Sequence, residues 1–130
     1  MSRRELGLGL QSDKQPGAYA ELARRAESDG FDVVTVFNDL FFQPSLPALL
    51  EIAHATTRVR VGASCLNPFT LHPVEIAGQV AAIDAASHGR AYLGLALPPT
   101  FTSSAMRPAR APPLRPQVPI SSGTAVRSTG

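Results

Sequence analysis

The sequence predicts an α/β fold with a parallel sheet, on three observations. Short apolar runs begin near residues 5, 33, 59 and 91, and the one at 33 is rich in β-branched residues. Segments with helical spacing separate them, so the order is strand-helix-strand-helix-strand-helix-strand. Such alternation favours parallel strands joined by right-handed helical crossovers.

Each element has its own grounds. Residues 5–10 form a short apolar strand candidate containing Gly7-Leu8-Gly9-Leu10. Tyr19, Leu22, Ala23 and Ala26 recur at helical spacing, with Glu21, Arg24, Arg25 and Glu27 on other faces. Gly30 follows as a helix stop. Residues 31–37 hold Val33, Val34, Thr35 and Val36, a run suited to a buried strand. Pro47 is expected to open a second helix reaching about Ala55. Residues 59–65 read as the third strand, residues 74–86 as the third helix and residues 91–96 as the fourth strand.

Composition excludes several classes. The apolar fraction of 44% is ordinary for a globular protein. No apolar run is long enough for a membrane span. Cys65 is the only cysteine, so no intrachain disulfide can form, which is compatible with the cytoplasm. The net charge of +2 hides a split. Residues 1–96 carry eight Lys/Arg against ten Asp/Glu, whereas residues 97–130 carry four Arg and no acid. The basic balance belongs to the tail, whose only aromatic is Phe101, so no nucleic-acid footprint is read from it.

The chemistry-bearing residues cluster after the strands. Between the third strand and third helix lies Asn67-Pro68-Phe69-Thr70-Leu71-His72-Pro73. Pro73 suits the first helical position, where its missing N–H costs nothing. Polar groups at a strand's C-terminal end and a helix's N-terminal end occupy the place where α/β folds bind ligands. Asn67, Thr70 and His72 therefore read either as a cofactor contact or as a turn, with Asn67 bonding its own backbone and His72 capping the helix. Asn38 and Asp39 end the second strand, and Asp39 can serve as acid, base or hydrogen-bond acceptor or as a turn residue. His54 reads as structural and His88 as solvated. The three histidines, separated by 18 and 16 residues, do not make a metal site. Gly7-Leu8-Gly9 lacks the third glycine of a dinucleotide fingerprint and lies inside the strand.

Asn67-Pro68-x-Thr70-x-His72-Pro73, a helix, Ser87-x-Gly89-Arg90 and a strand ending Leu93-Gly94-Leu95 follow in order. This succession resembles the luciferase-like monooxygenase superfamily, flavin- and deazaflavin-dependent oxidoreductases on a TIM barrel. The resemblance spans residues 5–96. It implies the first half of a TIM-type (β/α)8 barrel and a cofactor that is FMN or the deazaflavin coenzyme F-420. It further implies catalytic roles for Asp39 and His72, and cofactor contacts from Asn38, Ser64, Cys65, Asn67 and Thr70. In several relatives the bond matching Ser64–Cys65 is a non-proline cis peptide lying against the ring. Two departures stand out: many relatives read Asp-His where this chain has Asn38-Asp39, and Arg where it has Leu71.

A complete barrel typically needs about 250 residues. Residues 1–96 are expected to supply its N-terminal half. Residues 97–130, with seven of the twelve prolines, are expected to be a disordered tail. The match to the relatives stops near Leu97, which reads as a frameshift, a mis-called gene end or a real linker. The leading function is an oxidoreductase acting on a small organic molecule by hydride transfer or monooxygenation. The alternatives are an inactive half-barrel fragment and a small flavodoxin-like binding domain. The expected partners are a small-molecule substrate, no nucleic acid and no membrane. Unpaired sheet edges are expected to favour homo-oligomers or self-association.

Overall fold

A computed structural model describes residues 3–96. The tail expected at residues 97–130 lies outside the described residues. The elements are β1 (Gly7–Leu10), α1 (Ala18–Ser28), β2 (Val33–Phe37), α2 (Ser45–Ala55), β3 (Arg60–Ser64) and α3 (Pro73–Ser87). The sheet order is β1-β2-β3 and both pairings are parallel. The register sets Gly9 beside Thr35 and Thr35 beside Gly62.

The described sheet has three strands, and the fourth strand expected at residues 91–96 forms no continuous ladder. Residues 90–96 run parallel beside β3 and meet it at two separate bridges, Val61 with Ala91 and Leu66 with Leu95. Between these bridges β3 and its extension advance five residues while the neighbouring segment advances four. One residue is therefore in excess, as in a β-bulge, and the ladder is interrupted. The Ser64–Cys65 peptide in this stretch is cis. Backbone bonds resume beyond it, from the Leu66 N–H to the Gly94 carbonyl (2.8 Å) and from the Ala96 N–H to the Leu66 carbonyl (3.2 Å).

Alternation along the strands decides what faces the helices. Leu10, Val34, Val36, Val61 and Ala63 are buried against Tyr19, Ala23, Leu49, Ile52, Ile76 and Ile83 from the three helices. Burying each large aliphatic side chain contributes about 1.5–3 kcal/mol. The opposite sheet face carries Thr35, Phe37, Ser64 and Tyr92, all half-buried. The α2 helix opens two residues before the expected Pro47. Proline is tolerated within a first turn because the N–H groups there have no intrahelical acceptor.

At the end away from the strand C-termini, Glu27 joins α1 to β3. Its carboxylate accepts the N–H groups of Thr57 (3.1 Å), Arg58 (2.6 Å) and Val59 (2.9 Å). Burial pushes the Glu27 carboxyl up, but the N–H groups of Val59, Arg58 and Thr57 together outweigh it and hold it below its ordinary value of 4.5. A group whose folded value is depressed stabilises the fold above its unfolded value and loses that contribution as pH falls through its folded value. Urea midpoints followed from pH 7 downwards should therefore drop below about pH 4.5 in the native protein. Glu27→Gln should be less stable at pH 7 and show a flatter fall. Parallel pH profiles for the two proteins would contradict this role.

Candidate functional site

The loops after β1, β2 and β3 and the end of residues 90–96 all leave the sheet at the same end, because every strand is parallel. The site is built from these exits. After β1 comes Gln11, and after β2 come Asn38 and Asp39. The Gln11 side-chain Nε2 donates to Asp39 Oδ2 at 3.2 Å, joining two neighbouring strand ends. Asp39 is exposed. Its second carboxylate oxygen takes no part in this bond.

Asn38 has a different task. Its Oδ1 accepts the Ser45 N–H at 3.2 Å, satisfying one of the unpaired donors at the start of α2. The loop between them exposes Leu40, Phe41 and Phe42, and Phe41 is held at φ 71°. A bulky residue in the left-handed region is an outlier that local structure must enforce.

The exit of β3 folds into one helical turn. The Asn67 carbonyl accepts the N–H groups of Thr70 (3.1 Å) and Leu71 (3.0 Å) and the Thr70 hydroxyl (3.1 Å). Asn67 Oδ1 accepts the Phe69 N–H at 2.8 Å. His72 Nδ1 accepts the Val74 N–H at 3.2 Å and so caps α3. In neutral His72 the ring proton is consequently on Nε2, which becomes a donor. The turn bonding anticipated for Asn67 and His72 is thus observed. What is left for a ligand is Asn67 Nδ2 and His72 Nε2. Ser64 Oγ and Cys65 Sγ lie 3.8 Å apart and are half-buried at the same exit.

The structure brings Ser64, Cys65, Asn67, Thr70 and His72 onto one exit and Asn38 and Asp39 onto its neighbour. Register pairs Phe37 with Ser64, so these groups share one end of the sheet. His54 and His88 are exposed near the opposite end, at the C-termini of α2 and α3. Among the described residues no group of three or more His, Cys, Asp or Glu could hold a metal ion. Gln11 was not singled out from sequence; a polar residue ending an apolar strand is its only signal. Residues 90–96 approach β3 so closely that a Cβ at Gly62 would lie 2.5 Å from the Tyr92 carbonyl oxygen and one at Gly94 2.5 Å from the Ala63 carbonyl oxygen, a crowding with no sequence signal because it depends on a neighbouring segment.

The donor set fits the polar edge of a flavin-type ring. The Asn67 amide and the His72 imidazole lie on the exit of β3 and the Asp39 carboxylate on that of β2, while Phe37 and Tyr92 are half-buried on the helix-free face of the sheet. With Leu71 in the turn, this exit offers no cation for a phosphate tail.

A family model described as luciferase-like monooxygenase matches residues 2–98. The 5,10-methylenetetrahydromethanopterin reductase of Methanopyrus kandleri is 30% identical over 95 residues, which cover 73% of this chain and 27% of that protein. The solved coenzyme F-420-dependent tetrahydromethanopterin reductase of M. kandleri superposes with a TM-score of 0.69 at 29% identity, over 72% of this chain and 27% of that one. A monooxygenase of Streptomyces bottropensis gives 0.62 at 24% identity, over 78% of this chain and 36% of that one. The oxygenating constituent of 3,6-diketocamphane monooxygenase of Pseudomonas putida, solved with FMN, gives 0.64 at 17% identity, over 82% and 33%. The last two likenesses bear on the fold alone. The chain therefore spans about a quarter of the length of the reductase it matches.

Proposed function

The chain belongs to the luciferase-like monooxygenase family, and from that premise we propose that its strand exits form one wall of a flavin- or deazaflavin-dependent oxidoreductase site. The observation that carries this reading is the carboxylate of Asp39, held by Gln11 at the mouth of the sheet. The reductase likeness leans the reading towards coenzyme F-420 and hydride transfer to a small organic molecule. FMN with monooxygenation is the second form of the same proposal.

When bound, the ring would supply the hydride or oxygen chemistry. The residues of this chain would do the rest. Asn67 Nδ2 and His72 Nε2 would donate to the ring's polar edge, and Ser64, Cys65 and Thr70 would line it. Asn38 would act through α2 by capping it. Asp39, oriented through Oδ2, would hold or move a proton at its other oxygen. Leu40, Phe41 and Phe42 would form an apolar rim that limits water.

A second reading, a folded α/β domain without catalysis, is favoured by the local bonds of Asn38, Asn67, Thr70 and His72, each of which serves its own turn or helix start. In TIM-barrel enzymes the site is assembled from the loops of several strands, with phosphate frequently held after strands seven and eight. Titration of the purified chain with FMN and with coenzyme F-420, followed by fluorescence quenching, separates the two. Saturable binding at micromolar concentration supports the site, and Asn67→Ala should then weaken it about tenfold, the value of one lost hydrogen bond of about 1.4 kcal/mol. Absence of binding supports the inactive reading. Unchanged affinity in Asn67→Ala, with a lowered melting temperature, would make the turn structural only.

A further inference from the structure

We infer that one buried water molecule joins the Ser12 and Ser45 hydroxyls and ties the exit of β1 to the start of α2.

Two polar atoms stand out in the interior. Ser12 and Ser45 are each 1% exposed, and neither Oγ has a hydrogen-bond partner among the described residues. A buried hydroxyl without a partner loses its hydration uncompensated, so folded proteins seldom leave one unpaired. Backbone and side-chain bonds gather both serines at one junction. Ser12 follows Leu10 by two residues and continues the row of Leu8 and Leu10 that packs on the core. The register sets Leu10 beside Val36, and two further residues along each chain bring Ser12 level with Asn38. Asn38 Oδ1 accepts the Ser45 N–H at 3.2 Å. The Ser12 carbonyl accepts the N–H of Gln43, two residues before Ser45, at 3.3 Å. The two serines are therefore neighbours where the β1 exit, the β2 exit and the first turn of α2 meet.

The groups around the junction select the ligand. Each hydroxyl has one donor and two acceptor sites, and a water molecule can serve both hydroxyls at once. Asn38 Oδ1 has a second lone pair beside Ser45, a third contact of the two to four that a buried water makes. An anion is disfavoured, because the Asp39 carboxylate follows Asn38 and is bonded to Gln11, the neighbour of Ser12. A cation is disfavoured by the start of α2, the positive end of the helix dipole. What remains is a neutral molecule, and the burial of both serines restricts it to the size of water. This water braces residues 38–45, the segment that carries Asp39, from beneath the Gln11–Asp39 bond. Its place is independent of any ring bound at the strand exits.

Two measurements on the 130-residue chain test this. Oxygen-17 relaxation dispersion of the solvent counts long-lived internal waters. The double variant Ser12→Ala, Ser45→Ala is expected to hold one fewer than the native chain, and an equal count would overturn the inference. Thermal melts of the two single variants and the double variant give the second reading. Each single alanine should lower the midpoint by about 4–8 °C, because it leaves the other hydroxyl and the water under-bonded. The double variant should recover most of that loss, since no hydroxyl is then left to pair. Single alanines that raise the midpoint would show that the hydroxyls were unpaired all along. Losses that simply add would show that each hydroxyl has a protein acceptor of its own. Either result overturns the shared water. Alanine is smaller than serine and fits the same space, and circular dichroism checks that each variant is folded.

Discussion

Replacing Arg90 by methionine will cost the fold several kcal/mol, because it removes five hydrogen bonds from a charged donor, each worth about 1.5–3 kcal/mol at most, and leaves their acceptors unpaired. The guanidinium uses all five of its donors. Nε donates to the Ser87 carbonyl (2.7 Å). Nη1 reaches Thr56 Oγ1 (3.0 Å) and the Val59 carbonyl (2.6 Å). Nη2 reaches the Ala53 and Thr56 carbonyls (3.0 and 2.8 Å). These acceptors belong to the end of α2, the approach to β3 and the end of α3. The last carbonyls of a helix have no intrahelical partner, and a cation there also meets the negative end of the helix dipole. Methionine keeps much of the volume and leaves five acceptors without this donor. Against a typical stability of about 5–15 kcal/mol, the loss leaves a marginal domain. Lysine should recover only part, because one ammonium cannot reproduce the planar fork. Urea denaturation followed by circular dichroism measures both. A cost under about 1 kcal/mol for Arg90→Met would mean that water serves these carbonyls equally well.

A second large effect is expected at two glycines. A Cβ at Gly62 would lie 2.5 Å from the Tyr92 carbonyl oxygen and 2.8 Å from its ring. A Cβ at Gly94 would lie 2.5 Å from the Ala63 carbonyl oxygen. Backbone must move in either case, so each alanine should destabilise by about 2–3 kcal/mol, at the upper end for overpacking. The damage should be local to residues 90–96. Amide exchange at Tyr92 and Leu66, whose N–H groups bond across this junction, should accelerate most. Gly9→Ala should cost less, because its Cβ at 2.7 Å meets only the far end of the Phe37 ring. Gly78→Ala reverses the sign. Nothing lies within 4 Å there, and alanine is worth about 0.5–1 kcal/mol over glycine inside a helix. Equal melting temperatures for Gly62→Ala and Gly78→Ala would refute the close-approach account.

The order of elements was legible because it rests on local pattern. Val33 to Phe37 alternates with β-branched residues, Tyr19 to Ala26 repeats at helical spacing, and Pro73 opens α3 at its first residue. The start of α2 was missed by two residues, since Pro47 reads as an opening signal although the first turn tolerates it at a later position. At the candidate site, the position of Asn67, Thr70 and His72 followed from the turn's own residues. Their bonds span two to four residues, a range over which sequence spacing determines geometry.

Sequence alone thus determined the α/β class, the parallel order, the family resemblance and the residues gathered at the strand exits. Tertiary structure decided the rest. The Gln11–Asp39 bond joins residues 28 apart, and Arg90 reaches acceptors up to 37 positions away. Neither spacing has a local signature, because such pairs meet only after β1, β2 and β3 have taken their register. The interruption between β3 and residues 90–96 is of the same kind. One residue of excess on one strand can be seen only when its neighbour lies beside it. Local chain geometry is written in neighbouring residues, whereas contacts across the sheet depend on how separate elements pack.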